Sequence, residues 1–210
     1  MPKISICVPV HSMPDGKFFF DRLWNSIEEQ TFKDFEVIVT DDGLMAENTN
    51  SAIRKAKGDI VKILFMDDFF AHPQALQMIV DNFNGGWLVT GCEHARKDGF
   101  RYNPHLPTYN HAIHTGINSI GSPSVLAFEN EGYRPSKSKQ PTASIPVFDN
   151  SLSWLLDCDL YKRLYTRYGE PAILNDMNVV IGVGEHQTTN TLPAEVKAAE
   201  LEYMKKKYAK

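Results

Sequence analysis

Patterns typical of buried strands and amphipathic helices alternate along the first ninety residues. Short apolar runs rich in β-branched residues begin at Ile4, Phe35 and Ile60, and each run ends at a polar or turn-forming residue. Between these runs, apolar side chains recur every three or four residues, which is the spacing of a helix with one buried face. The pattern predicts strands over 4–10, 35–40 and 60–66, with helices around 20–27, 52–56 and 73–83. Buried strands separated by helices predict an α/β fold with a mostly parallel sheet flanked by helices.

The pattern changes near residue 92. From 92 to 140 the chain is rich in Gly, Pro, Asn, His and Ser, which predicts a loop-rich functional segment with one strand at 124–128. Leucines spaced four residues apart predict a helix over 151–168, followed by strand pieces at 173–183 and a charged helix at 194–208. We therefore expect one domain with two halves, 1–92 and 93–192, and a C-terminal helix in 193–210.

Composition and charge exclude several classes of protein. The 210 residues carry a net charge of −4, whereas nucleic-acid-binding proteins normally have a basic face, so no nucleic acid is expected as a partner. No apolar run has the length of a membrane span, and the N-terminus lacks the apolar stretch of a signal peptide. The three cysteines have no metal-type spacing and are typical of buried residues in a reducing compartment. We expect a cytoplasmic protein with at most peripheral contact between its C-terminal helix and the inner face of a membrane.

Polar side chains follow three of the predicted strands at their carboxyl ends. In an open parallel sheet, ligands bind at that edge. Acidic residues after a strand also form turns or cap helices, and this alternative is favoured for any single strand. Two pairs of adjacent aspartates at one edge favour a binding site instead. The residues concerned are His11, Asp41-Asp42-Gly43 and Asp67-Asp68.

The sequence lacks the glycine-rich loops that bind phosphates but has adjacent carboxylates that suit a metal ion. No Gly-x-Gly-x-x-Gly follows the first strand and no Walker-type loop occurs, so a glycine loop does not hold phosphates. Adjacent carboxylates suit Mg²⁺ or Mn²⁺, which binds one or two carboxylates together with waters and phosphate oxygens. These features predict a nucleotide diphosphate substrate, held through the cation.

A set of short segments occurs in order over almost the whole chain, from about residue 3 to 190. The set comprises ISICVPV (4–10), SIEEQTF (26–32), FEVIVTDDG (35–43), NSAI (50–53), AKGDI (56–60), MDD (66–68), IGSPS (120–124) and WLLDCDLY (154–161). Together they resemble the family 2 glycosyltransferases. That resemblance implies the Rossmann-like GT-A fold, a nucleotide-sugar donor and inversion of the anomeric configuration.

The resemblance also implies a nucleobase pocket. By position, Pro9, Val10 and His11 would line it, and Asp42 would accept the hydrogen bond from the uracil N3–H. The resemblance therefore implies a UDP-sugar as the donor.

A variant of the family's aspartate-any-aspartate motif occurs at residues 66–68. Its resemblance implies that Asp68 binds Mn²⁺ or Mg²⁺ and that Asp67 faces the donor ribose or sugar. His186 lies near the place where GT-A enzymes carry a third metal or diphosphate contact. A structural hydrogen-bonding role for His186 is an equal alternative.

Asp157 falls where the family has its catalytic base. On the predicted helix it shares a face with Trp154 and Tyr161, next to the leucine stripe. Asp159 points elsewhere, and the spacing predicts a surface ion pair with Arg163. Without the resemblance, Asp157 would be interpreted as a solvated helix carboxylate.

Two features depart from the family. Relatives usually have a helix and a further strand between the residues that match Gly43 and Asn50, whereas only a short loop is expected here. The nucleotide-binding half is therefore expected to be shortened, with a smaller sheet and a more open nucleobase pocket. Phe69-Phe70 is also unusual after the aspartates, and is expected to make one wall of the sugar pocket apolar.

The sequence predicts a metal-dependent inverting glycosyltransferase that moves a sugar from UDP to an acceptor hydroxyl. The expected acceptor is a glycan or a lipid-linked sugar, in surface glycan or glycolipid synthesis. The alternative is a catalytically idle GT-A-like module that binds a nucleotide-sugar or a glycan. A nucleotidyltransferase ranks last, because residues 11–16 supply no basic glycine-rich loop.

Overall fold

The structure, a computed structural model, describes residues 1–131, 147–185 and 187–209. The strands are β1 (Ile4–Pro9), β2 (Phe35–Thr40), β3 (Ile60–Ile63), β4 (Phe69–Phe70), β5 (Trp87–Ala95), β6 (Arg101–His105), β7 (Leu126–Glu129) and β8 (Ala172–Gly182). The helices are α1 (Gly16–Glu28), α2 (Met45–Lys55), α3 (Ala75–Asn82), α4 (Leu156–Tyr168), α5 (Thr188–Thr191) and α6 (Ala194–Tyr208). Short 3₁₀ turns lie at Ile113–Thr115 and Pro123–Val125.

The described strands form one mixed sheet in the order β2-β1-β3-β7-β5-β8-β4, with β6 paired to β5. β1 is parallel to β2 and β3, β7 is antiparallel to β3 and β5, and β8 is parallel to β5. The strands β1, β2, β3, β5 and β8 therefore run in one direction and end at one edge of the sheet. β5 spans residue 92, so the two expected halves share this sheet.

The core follows the apolar pattern of the sequence. Every residue of β1 and β3 is buried, as expected for strands covered on both faces. Helix α1 buries Leu23 and Ile27, and α2 buries Ala52 and Ile53, so each helix contributes one apolar stripe. The three cysteines are free and buried, which confirms the prediction.

Several element boundaries differ from the predictions. The strands at 35–40 and the helix at 194–208 are confirmed, whereas the strand expected at 60–66 ends at Ile63. The loop expected between Gly43 and Asn50 is mostly the first turns of α2. The segment 92–140 was predicted to hold one strand, but β5 and β6 form a hairpin there. The sequence pattern did not predict this hairpin, because the glycine and polar residues of the two strands interrupt the alternation of apolar side chains.

The helix predicted over 151–168 begins five residues later, at Leu156. The reason lies outside the segment, because a carboxylate of α6 binds the backbone N–H groups of residues 153–155 and holds them in a non-helical turn. None of the helices in the described part of the chain has both the length and the apolar character needed to cross a bilayer.

Candidate functional site

A cleft of about 540 Å³ opens at the carboxyl edge of the sheet. The loops after β1, β2, β3 and β8 line it, together with the segment before β7 and the start of α4. Four predicted polar site residues line the cleft, His11, Asp67, Asp68 and Asp157. Asn118, which binds Asp157, lines it as well. Pro9 also lines the cleft. The tertiary structure therefore brings the aspartate pair and Asp157 to one cavity, although they are about ninety residues apart in sequence.

Asp68 is the most deeply placed carboxylate of the cleft, with 2% of its surface exposed. The N–H of Gly182 donates to Oδ1 at 2.9 Å, and the Ser122 hydroxyl donates to Oδ2 at 3.3 Å. Burial and the neighbouring charge of Asp67 raise the pKa of Asp68 to about 8. The carboxyl group therefore has a fixed orientation, and its charged form is favoured only when a positive charge lies close to it.

The end of β8 approaches the aspartate pair closely enough to require a glycine. A Cβ at Gly182 would overlap the Asp67 carbonyl. That carbonyl accepts a hydrogen bond from Arg22 Nη2 at 2.8 Å. Gly182 and Arg22, neither of which stood out in the sequence, therefore hold the loop that carries both carboxylates.

A buried lysine lies behind Asp68. Lys62, on β3, is fully buried, and its ammonium donates to the carbonyls of Ile63 (3.0 Å) and Ser124. Burial lowers the pKa of Lys62 to about 7, and the charge of Asp68 opposes that shift. Lys62 thus fixes the Pro123–Val125 turn next to the Ser122 hydroxyl that contacts Asp68.

Asp157 lies in the first turn of α4 and lines the same cleft. Asn118 Nδ2 donates to its Oδ2 at 2.8 Å, and the Cys158 N–H donates to Oδ1 at 2.7 Å. The Asn118 carbonyl oxygen accepts from the N–H groups of Ile120 and Gly121, at 3.0 Å each, which directs its amide nitrogen toward Asp157. Asn118 is a positioning residue that sequence reasoning missed; only its place two residues before Ile120-Gly121 hinted at a turn.

Burial raises the pKa of Asp157 to about 6, although the hydrogen bonds from Cys158 and Asn118 act in the opposite direction. A carboxylate with this pKa is ionised at neutral pH and is a stronger base than an ordinary aspartate. That property suits general base catalysis. The same carboxylate also accepts the N–H of Cys158 in the first turn of α4, which is the structural role open to it.

The turn before Asp157 is held by α6. The Glu200 carboxylate accepts from the backbone N–H groups of Ser153 (2.8 Å), Trp154 (2.9 Å) and Leu155 (2.9 Å). Glu200 is buried, and it satisfies backbone donors that the start of a helix leaves unpaired. Helix α6, predicted as a charged surface helix, therefore supports the turn that precedes Asp157.

Asp159 corrects one expectation. Its ion pair with Arg163 Nε, at 2.8 Å, is confirmed, but the carboxylate is fully buried rather than on the surface. Tyr208 Oη donates to it and Lys207 Nζ pairs with it, both at 2.7 Å. These contacts attach the end of α6 to α4.

Two residues expected in the nucleobase pocket lie outside the cleft. Val10 does not line the cavity; its carbonyl accepts from Asn48 Nδ2 at 2.8 Å. Asp42 also lies outside the lining, because its carboxylate accepts from the Ser51 hydroxyl (2.5 Å) and from Lys55 Nζ (3.4 Å). These hydrogen bonds, first that of Ser51, lower the pKa of Asp42.

Asn48 links the two strand ends of this region. Its Oδ1 accepts from the Asp42 N–H at 3.0 Å, while its Nδ2 donates to Val10, and its side chain lines the cleft. Sequence reasoning missed Asn48, because a polar residue on a predicted loop carries no signal of burial.

His186, predicted as a metal contact, lies outside the described residues. Within the ranges that are described, no three His, Cys, Asp or Glu side chains cluster as a metal-binding group. Asp67 and Asp68 are adjacent carboxylates that open into a common cavity with room for a diphosphate. This pair of carboxylates therefore suits a hard cation, which binds one or two carboxylates and completes its coordination with oxygens of substrate and water.

The fold is similar to solved structures of TarS from S. aureus. The complex of TarS 1–349 with UDP-GlcNAc aligns with a TM-score of 0.65 and 16% sequence identity, over 94% of this chain and 65% of that one. The complex with UDP aligns with a TM-score of 0.62 and 17% identity, over 87% and 61%. TarS 1–349 without a named ligand aligns with a TM-score of 0.61 and 16% identity, over 99% and 72%.

This chain spans about three fifths of the length of the UDP complex that it matches. No family model and no curated protein matches the sequence. At this level of identity, the structural likeness establishes the fold and leaves the activity to the residues of the cleft. The predicted fold class is confirmed: the chain has the α/β fold of GT-A-like glycosyltransferases.

Proposed function

We propose that this protein is a metal-dependent, inverting glycosyltransferase that uses a UDP-sugar donor. The observation that carries the proposal is the cleft itself, a single cavity lined by Asp67, Asp68 and Asp157. The fold places this cleft at the carboxyl edge of the sheet, where ligands of open α/β sheets bind. Structures of the same fold contain UDP and UDP-GlcNAc, which makes UDP-GlcNAc the first donor to test.

In the proposed reaction, Asp157 accepts the proton of an acceptor hydroxyl. The acceptor oxygen forms a bond to the anomeric carbon as the bond from that carbon to the diphosphate oxygen breaks, so the electron pair leaves with UDP. One displacement inverts the configuration, and one base suffices. Asn118 keeps the Asp157 carboxylate directed into the cleft during this step.

Asp68, with Asp67 beside it, would hold Mg²⁺ or Mn²⁺. When bound, the cation neutralises charge on the leaving diphosphate. The N–H of Gly182 and the Ser122 hydroxyl keep the Asp68 carboxylate in place, and Arg22 holds the backbone of Asp67. The donor side of the proposal therefore depends on the loop between β3 and β4.

Pro9 and His11 would contact the nucleobase, since both line the cleft at the end of β1. The resemblance implies Val10 and Asp42 for the same pocket, but neither lines the cleft; Asn48, which binds both and does line it, would take their place. The proposed acceptor is a glycan or a lipid-linked sugar.

Calorimetric titration of UDP, with and without Mn²⁺ and with GDP as a control, tests the donor assignment. We expect metal-dependent binding that prefers UDP, and a large loss in Asp68→Asn. Absence of binding to either nucleotide would refute the proposed function. Asp59→Asn, which removes an exposed carboxylate near the opposite edge of the sheet, is the matched control.

One observation favours the second candidate, an idle nucleotide-sugar or glycan binding module. The Asp42 carboxylate is bound to Ser51 and Lys55 and does not line the cleft. If UDP binds but no donor is hydrolysed or consumed with any acceptor, the binding module becomes the better description.

A further inference from the structure

A second surface adjoins the cleft along the β5–β6 hairpin. The two strands are antiparallel, with His94 opposite Tyr102 and Ala95 opposite Arg101. The hairpin begins at the carboxyl end of β5, so it extends from the edge of the sheet that carries the cleft. His94 lines that cleft together with Asp157.

Three rings lie in sequence along this hairpin: His94, Tyr102 and Phe100, here named the aromatic strip. The centroids of His94 and Tyr102 are 6.0 Å apart, and those of Tyr102 and Phe100 are 6.1 Å apart with planes inclined by 15°. Phe100, at the outer end, is 59% exposed. The strip thus leads from solvent into the cavity that holds the proposed base.

Folding of the hairpin does not account for the exposed rings. The turn is closed by backbone hydrogen bonds from Arg96 N–H to the Phe100 carbonyl (3.2 Å) and from Gly99 N–H to the Arg96 carbonyl (3.0 Å). The Asp98 carboxylate also accepts from the Phe100 N–H at 3.0 Å. Neither Phe100 nor Tyr102 belongs to the hydrophobic core or to the side chains packed against it. The exposed Phe100 and the half-buried Tyr102 thus form an apolar surface on a hairpin that is already ordered without a ligand.

Polar groups lie among the rings. The Arg96 guanidinium is 5.6 Å from the Phe100 centroid and 5.5 Å from that of Tyr102, and Arg96 has no carboxylate partner among the described residues. The backbone carbonyl of Asn103 lies 3.1 Å from His94 Nδ1. A sugar ring has an apolar C–H face and a polar rim of hydroxyls, so a narrow aromatic strip edged with polar groups matches it. A membrane-binding surface would be broader and more uniformly apolar.

We propose that the aromatic strip binds a saccharide unit of the acceptor by stacking, and so brings its hydroxyl toward Asp157. This inference rests on the proposed function, since it identifies the strip as the acceptor side of that reaction. The pocket beside His94 receives the end of the saccharide, and Tyr102 and Phe100 contact the preceding unit or units.

Saturation-transfer NMR with chitotriose, cellotriose, maltotriose and mannotriose tests the proposal on the full chain, at roughly millimolar sugar because single stacking contacts are weak. We expect at least one trisaccharide to receive saturation through its C–H protons. The double variant Phe100→Ala/Tyr102→Ala should bind that sugar at least about tenfold more weakly. Phe100→Leu/Tyr102→Leu, which keeps apolar area but removes the rings, should lose binding to a similar extent.

Ile173→Ala is the matched control, because Ile173 is also exposed but lies at the start of β8, toward the opposite edge of the sheet. This variant should bind the sugar as the wild type does, and UDP affinity should be the same in all four proteins. Absence of saturation for every trisaccharide, or binding unchanged in both double variants, would overturn the proposal. Strip-dependent binding to anionic lipid vesicles without any sugar binding would overturn it in favour of a membrane surface.

The outcome is separable from that of the proposed function. If the wild type binds no UDP but binds a sugar through the strip, the glycosyltransferase proposal fails and the saccharide site stands without its acceptor role. If UDP binds and sugars do not, the transferase proposal survives and the strip is not its acceptor site.

Discussion

The two ends of the cleft are built in different ways. At the proposed nucleotide end, next to β1 and β2, Asn48 joins the loops of two consecutive β–α units by binding Asp42, six residues before it, and Val10, 38 residues before it. At the end that carries Asp157, the partners come from far along the chain: Asn118 is 39 residues away, and Glu200 binds Ser153 from 47 residues away. The comparison teaches that the pocket next to β1 and β2 is joined within consecutive β–α units, whereas the end with the proposed base needs the segment at Asn118 and helix α6, which lie outside the unit that carries Asp157.

The largest effect is expected for Asp157→Asn. Loss of the proposed base should reduce sugar transfer by about 10²–10⁴-fold, while UDP affinity stays within about twofold of wild type. Initial transfer rates and calorimetry measure the two quantities separately. Asp81→Asn, on the exposed face of α3, should leave both unchanged. Normal turnover in Asp157→Asn would leave this side chain only its structural contacts with Cys158 and Asn118.

Removal of the Glu200 carboxylate should show how far the base end depends on α6. Glu200→Ala leaves three backbone N–H groups without their partner, so we expect a loss of about 2–4 kcal/mol in the free energy of unfolding, measured by urea denaturation. Transfer should fall more than UDP affinity does. Glu202→Ala, an exposed position on the same helix, should change stability by at most about 0.5 kcal/mol. Equal losses in the two variants would contradict the comparison.

Asn48→Ala tests the nucleotide end in the same way. The loops after β1 and β2 lose their shared hydrogen bonds, so UDP should bind about tenfold more weakly, by the cost of one or two hydrogen bonds. The rate at saturating donor should change little, since Asp157 is unaffected. Asn82→Ala, at an exposed position of α3, provides the control. A lower saturated rate with unchanged UDP affinity would show that the two ends are coupled.

The pH dependence of transfer should report on Asp157. Its pKa is raised to about 6, so the carboxylate is ionised and able to accept a proton above that value. The rate at saturating donor and Mn²⁺ should therefore reach half of its maximum near pH 6. At pH 5 it should be about one tenth of that maximum. A half-maximal rate near pH 4, the ordinary aspartate range, would show that burial does not tune this residue.

The smallest effect is expected for Asp42→Ala. Because its carboxylate is bound to Ser51 and Lys55 outside the cleft, UDP affinity and the preference over GDP should change less than about threefold, the range of one exposed contact. Calorimetry with both nucleotides gives the answer, with Ser51→Ala as a control for the hydrogen bond alone. A loss of tenfold or more that affects only UDP would restore the uracil contact that the resemblance implies.

Much of the first half could be predicted because its signals are local. The buried runs that became β1, β2 and β3 need only apolar, β-branched residues to be recognised, and the polar residues after them, such as His11 and Asp68, mark the edge where the cleft forms. The resemblance added the position of Asp157, which no periodicity distinguishes from other helix carboxylates.

The second half was less predictable because its order comes from long-range contacts. β5 contains Gly91 and polar residues, yet it is a strand because β7 and β8 pair with it on both sides. The predicted start of α4 is wrong because Glu200, forty-five residues beyond Leu155, binds the backbone of the preceding turn and keeps it out of the helix. Asp159 was expected at the surface, since its contacts with Tyr208 and Lys207 depend on the docking of α6.

By itself, the sequence determined the strands and helices of the first half and the edge of the sheet at which polar groups gather. It also carries the family resemblance that implies roles for the aspartates. The tertiary structure alone decided which of those groups face one cavity, that Asn48 and Asn118 position them, and that Asp42 turns toward α2. The physical reason is that local patterns determine backbone conformation and burial, whereas the pKa and direction of a side chain depend on neighbours that only packing supplies.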